Sequence, residues 1–260
     1  MDLFNLSPDT IFSFLLSFFR ISLIVFLLPF FGGKSIPMTV KAALCLVLTL
    51  ALWPHLSFPG VLFPANPWMI LLMLAGELVL GLTLGLIVYI MFAAIQTGGE
   101  IIGFQMGFAM VNVMDPMTGT SQAVTAHFLY MVSLLVFLSL DGHLLLLQGL
   151  THSFKLVEPG GLFISPELAD RVLEFSGQLF LLAVKIAAPV MAALFLVDLA
   201  LALIGRAAPQ MHILMLGFPL KIGVGFFFLG LLFTVMASYI QDFIIKLGPM
   251  YHGILNAAHH

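Results

Sequence analysis

Apolar residues fill this chain in long blocks, and breakers divide them. Ile11 to Phe31 is apolar apart from Arg20 and ends at Gly32-Gly33-Lys34-Ser35-Ile36-Pro37, where glycine and proline punctuate the backbone. Val40 to Trp53 predicts a second helix, closed by Pro54. The stretch from Pro54 to Pro67 carries four prolines and reads as an ordered loop. Trp68 to Ala94 is apolar except for Glu77, and a separate segment runs from Glu100 to Met114. A turn is expected at Asp115-Pro116-Met117-Thr118-Gly119. Ala123 to Leu140 is apolar again, and Asp141-Gly142-His143 separates it from Leu144 to Leu150. Thr151 to Glu174 is the most polar segment and reads as a solvated linker. A short helix is expected to start in it at Ser165-Pro166, an N-cap followed by a first-turn proline. Two long apolar helices, about Phe175 to Gly205 and Pro219 to Leu247, complete an all-α pattern without an internal repeat.

Composition turns this pattern into a membrane-type protein. Hydrophobic residues make up 62% and charged residues 8% of the 260, against roughly 25% charged in soluble domains. So little charge cannot cover a globule of this size, and the apolar excess must meet lipid or other protein. About six spans are expected at roughly 20 residues each. The net charge of −3 and the lack of any Lys/Arg cluster argue against nucleic acid. Cys45 is the only cysteine, which excludes a disulfide framework. Met1 to Thr10 holds Asp2 and Asp9 and no basic residue, unlike a signal peptide's positive n-region, so this end reads as mature. Lys34, Lys41, Lys155 and Arg171 balance Arg206 and Lys221 too evenly to fix an orientation. Either the helix ends are irregular or the helices are not simple bilayer spans.

Three features are candidates for function. Charges stand inside apolar runs: Arg20, Glu77, Glu100, Asp115, Lys185, Asp198 and Lys221. All of them facing lipid would cost roughly 18–25 kcal/mol on insertion scales, so they pair, sit at helix ends, or face a wet or protein-filled surface. They read either as an ion relay or a channel lining, or as locks between helices and between subunits. Small residues recur at four-residue spacing: Gly81 with Gly85, and Gly99 with Gly103 and Gly107. Such spacing lets helix backbones approach closely. Gly107 to Ser121 is rich in methionine and small polar residues, including Met110, Asn112, Met114, Asp115, Pro116, Met117 and Gly119. Irregular backbone at membrane depth survives only inside protein or beside a water-filled cavity, so this segment reads as a gate or plug loop or as a surface turn.

Enzyme chemistry is not expected. The eight histidines form no HExxH pair, and no nucleophile elbow or phosphate loop is present. No catalytic residue, metal ligand or cofactor is assigned. One geometric expectation follows from counting. Asp198 and Lys221 lie equally far from Pro209-Gln210. A hairpin turning there brings them to one height, since each helix rises 1.5 Å per residue, so they either form an ion pair or each meet solvent or a partner subunit near the cytoplasmic rim.

Ordered blocks along the chain resemble a known family. They are Arg20; Pro29-Phe30-Phe31-Gly32-Gly33-Lys34; Ile36-Pro37; Val40-Lys41; Gly98-Gly99-Glu100; Gly103; Met106-Gly107; and Asp115-Pro116-Met117-Thr118-Gly119. Leu140-Asp141-Gly142-His143 follows, then Arg206-Ala207-Ala208-Pro209-Gln210-Met211 and Gly217-Phe218-Pro219-Leu220-Lys221. Together they resemble the FliR/SctT family of type III export gate subunits, found in flagella and in virulence injectisomes. The resemblance implies a FliP-like helical part over residues 1–175 and a FliQ-like helical hairpin over 176–260. In this frame Arg206, Pro209, Gln210, Gly217 and Pro219 belong to the hairpin turn. It also implies a ring with FliP-like and FliQ-like subunits, raised largely out of the bilayer and plugged by the Gly107 to Ser121 loop. FlhB and FlhA, unfolded export substrates and membrane lipid are the further partners. The implied location is the bacterial inner membrane at the flagellar basal body. A self-contained ion-coupled transporter using Glu77, Glu100, Lys185 and Asp198 is the alternative, and an anchoring scaffold a third.

Overall fold

The computed structural model describes residues 7–32, 36–53, 64, 66–108, 124–161, 166–208 and 213–259. Among these the regular elements are all helices: α1 Pro8–Leu27, α2 Pro29–Gly32, α3 Met38–Leu52, α4 Pro67–Gln105, α5 Val124–Ser139, α6 Gly142–Leu156, α7 Pro166–Ala207 and α8 Ile213–His259. Local chemistry sets several of their ends. The Ser7 hydroxyl accepts the Thr10 N–H at 3.3 Å, Pro8 takes the first helical position and Asp9 stands in the first turn of α1, each favourable at a helix start. Leu28 is extended, with ψ 135°, because the ring of Pro29 disfavours helical backbone in the residue before it. The apolar run Ile11 to Phe31 is therefore two helices.

Other expectations are corrected in the same way. Trp68 to Ala94 and the start of Glu100 to Met114 belong to one helix of 39 residues, α4. It stops at a Schellman turn: the Phe108 N–H donates to the Gly103 carbonyl at 3.0 Å and the Gly107 N–H to Phe104 at 3.1 Å. Gly107, with φ 94°, supplies the left-handed residue this motif needs. The helix around Leu144 to Leu150 runs on to Leu156, so the first residues of the expected linker are helical. Pro166 does start a helix, but one of 42 residues that continues to Ala207 with Pro189 inside it. The last helix begins at Ile213, which places Gly217 and Pro219 in α8 rather than in the turn. Four helices are long and apolar enough to cross a membrane, or five if α5 and α6 make one broken span, instead of about six. That count covers the described residues.

The helices pack into two units. Met1–Ile90, Asp141–Ser176 and Ile244–His260 form the first; Met91–Leu140 and Gly177–Phe243 form the second. Leu16, Ile21, Leu80, Leu84, Leu150, Phe154 and Leu247 build the core of the first. Phe92, Ile102, Met106, Leu129, Phe137, Leu194 and Met236 build that of the second. Many large apolar side chains stay outside both cores. On α7 and α8 these include Phe180, Phe195, Leu196, Leu203, Met215, Phe227 and Leu231.

Candidate functional site

In the first unit, Arg20 of α1 and Glu77 of α4 are both fully buried. They meet as a two-pronged pair: Arg20 Nε donates to Glu77 Oε2 at 2.5 Å and Nη2 to Oε1 at 2.8 Å. The remaining guanidinium donors reach backbone carbonyls, Nη1 to Ser153 at 3.2 Å and Val157 at 2.9 Å, and Nη2 to Glu158 at 3.5 Å. All five guanidinium N–H groups thus have acceptors. The ring of Phe154 lies under the guanidinium, 4.4 Å from its carbon, a placement that favours a cation. Glu77 Oε1 also accepts the Gly160 N–H at 2.7 Å. Gly160 has φ 81°, and a side chain there would run into Met73.

The pair thus fastens the turn Val157 to Gly161 onto α1 and α4. Such a site holds two charges inside an apolar unit and leaves neither side chain unengaged. Burying both ions is expensive, and removing one leaves the other uncompensated at roughly 3–5 kcal/mol. Sequence reasoning singled out both charges and not their partnership. It also missed the turn, which it assigned to a solvated linker.

Glycines allow this approach. A Cβ on Gly81 would stand 2.9 Å from Leu23 Cβ, and one on Gly85 would stand 2.6 Å from Leu27 Cδ1. These two residues on α4 let α1 lie against it with Arg20 level with Glu77. The first small-residue pair is therefore a contact surface within this chain.

In the second unit, a Cβ on Gly99 would stand 2.6 Å from the Ala126 Cα, and Thr125 Oγ1 donates to the Gly99 carbonyl at 2.8 Å. Gly99 is thus the crossing point of α4 and α5. Gly103 is buried one turn on. Gly107 departs from the stripe because it is the helix stop. Gln105, at the end of α4, donates from Nε2 to the Met191 carbonyl at 3.2 Å. Gly107 and Phe108 are the plug-loop residues the structure describes; Met110, Asn112, Met114, Asp115, Pro116, Met117 and Gly119 lie outside the described residues. Pro209 and Gln210 lie outside them as well.

Lys221 Nζ makes a salt bridge with Asp198 Oδ1, so the counting argument brings together the right residues. The pair is partly exposed, 23% for Lys221 and 43% for Asp198, so solvent screens it. Arg206, in the last turn of α7, is exposed. Glu100 and Lys185 are exposed and join neither pair. With Glu77 and Asp198 both engaged, a relay through Glu77, Glu100, Lys185 and Asp198 has two of its four members tied down. Among the described residues no three His, Cys, Asp or Glu side chains converge as a metal site.

Comparison with known proteins adds to this geometry. The family described as "Bacterial export proteins, family 1" matches residues 11–247. The "Flagellar biosynthetic protein FliR" of Bacillus subtilis (strain 168) is 36% identical over 235 residues, covering 88% of this chain and 89% of that protein. The protein of the same name from Aquifex aeolicus (strain VF5) is 32% identical over 91% of this chain and 93% of its own length. The "Yop proteins translocation protein T" of Yersinia pestis is 31% identical over 58% of this chain and 59% of its own. With its all-helical units, its charges locked within apolar helices and a match from Ile11 to Leu247, the chain belongs to the bacterial export proteins, family 1.

Proposed function

We propose that this chain is a core membrane subunit of the flagellar type III export gate, through which unfolded flagellar proteins pass. Family membership makes it an export protein, and the relatives named for flagella match about nine-tenths of it. The Yersinia translocation protein matches little more than half, so the flagellar assignment is favoured over the injectisome one. The finer reading is a non-enzymatic pore subunit in the inner membrane at the basal body. It joins FliP-like and FliQ-like subunits, with FlhB and FlhA beside them. Residues 1–175 serve as the FliP-like part and 176–260 as the FliQ-like hairpin.

One observation carries the assembly: the second unit exposes Glu100 and Lys185 on helices whose other exposed positions include Phe104, Phe180, Leu181 and Val184. Facing hydrocarbon, each charge costs about 2.5–3.5 kcal/mol; against partner helices of opposite charge or a wet lumen they are accommodated. Helix length supports the same view. A helix of 39 residues has a length of about 58 Å, nearly twice the roughly 30 Å hydrocarbon core, so α4 is longer than a single crossing requires.

The test is copurification. The chain made alone is expected to aggregate or be degraded, and FliP-like and FliQ-like subunits made with it are expected to rescue it as one complex. A stable, monodisperse monomer in mild detergent would sink the assembly reading. The loop role has its own test. Deleting Asp115 to Gly119 is expected to admit small ions or solutes in cells that still assemble the complex, measured as membrane conductance or solute uptake. Unchanged permeability removes the plug.

A further inference from the structure

His152 on α6 and His252 on α8 face each other in the first unit, their ring centres 4.6 Å apart and their planes nearly perpendicular. Both are exposed and line a cavity of about 230 Å³ together with Gln148, Gly149, Gly248 and Tyr251. Among the described residues neither ring makes a hydrogen bond. The backbones that carry them are held in place. Tyr251 lies so close to Gly149 that a Cβ there would stand 2.4 Å from its ring, and the buried Tyr251 hydroxyl donates to the Leu84 carbonyl at 3.2 Å.

We propose that His152 and His252 together bind a divalent transition-metal ion that clamps α6 to the last turns of α8. Two imidazoles sharing one ion through bonds of about 2.0–2.1 Å have ring centres roughly 4.5 Å apart at a right angle and roughly 5.2 Å apart at the tetrahedral angle, and the spacing seen is 4.6 Å. Both rings are exposed and can rotate to present a nitrogen to a shared ion. Imidazole suits zinc, nickel and copper. Gln148, one turn before His152, lines the same cavity and offers a carbonyl oxygen, and Gly248, one turn before His252, leaves room for water. With two strong ligands the site favours copper over nickel and zinc, as divalent affinities order in general. This inference stands on the first unit's geometry and does not depend on the export reading.

The experiment titrates Ni²⁺ by calorimetry into the tag-free full chain, purified in detergent with the subunits that accompany it. His152→Gln and His252→Gln are titrated alongside; His259 and His260 are present in all three proteins. The expected result is saturable Ni²⁺ binding in the parent that is lost in both variants. In parallel, Cu²⁺ bound to the parent is expected to show electron spin resonance coupling to two imidazole nitrogens, a readout that does not rely on the variants folding. Absence of saturable binding, equal binding in parent and variants, or coupling to a single nitrogen overturns the proposal.

Discussion

Arg20 and Glu77 show how a charge survives inside an apolar unit. Their two parallel hydrogen bonds are short and charge-assisted, the strong kind, and three carbonyls and one N–H take up the remaining valences. Arg20→Met alone strands a carboxylate beside Phe154, and Glu77→Gln alone strands a guanidinium. Each is expected to destabilise the first unit by roughly 3–5 kcal/mol. The double change Arg20→Met with Glu77→Leu is expected to cost much less, since two apolar groups replace two ions. A thermal-melt cycle on the detergent-purified complex measures this. Additive losses would mean that the two charges act independently. Residue type made both positions legible as anomalies within apolar runs. Their pairing was not legible, because 57 residues separate them and nothing in either run fixes the register of α1 on α4.

Helix ends and continuity follow the same division. The start of α7 at Pro166 and the meeting of Asp198 with Lys221 were legible, because a capping signal and a short turn are local constraints. The continuity of α4 was not. Gln96-Thr97-Gly98-Gly99 looks like a break, since each glycine costs about 1 kcal/mol in a helix interior. Here Gly98 fits beneath the Ala183 carbonyl and Ile186, and Gly99 beneath Ala126, so packing that only glycine permits offsets the cost. Thr151 to Leu156 was misread for a related reason: polar composition suggested solvent, whereas Ser153 and Phe154 are buried in the first unit. The hairpin pair yields a sharp expectation. Asp198→Lys and Lys221→Asp are each expected to reduce recovery of the complex, and the combined exchange to restore most of it. A double variant as poorly recovered as the two losses combined would show that the salt bridge does not set the register of α7 and α8.

At the scale of the whole molecule, packing order and chain order disagree. The first unit takes in Met1–Ile90 and is completed by Ile244–His260, where Tyr251 enters its slot beside Gly149 and bonds to Leu84. Truncation after Phe243 removes that plugging side chain together with Leu247, Ile254 and Leu255, all buried. The truncated chain is expected to become protease-sensitive within α1 and α6 while Gly177 to Phe243 keeps its protection. Equal protection of the first unit in the full and truncated chains would overturn this. The same layout has a consequence in time. At about 5–20 residues per second, the ribosome takes on the order of ten seconds to pass from Ile90 to Ile244. Throughout that interval Leu84 and its neighbours lack the helix that seals them. The earliest-made third of this protein therefore belongs to the unit that is last to close.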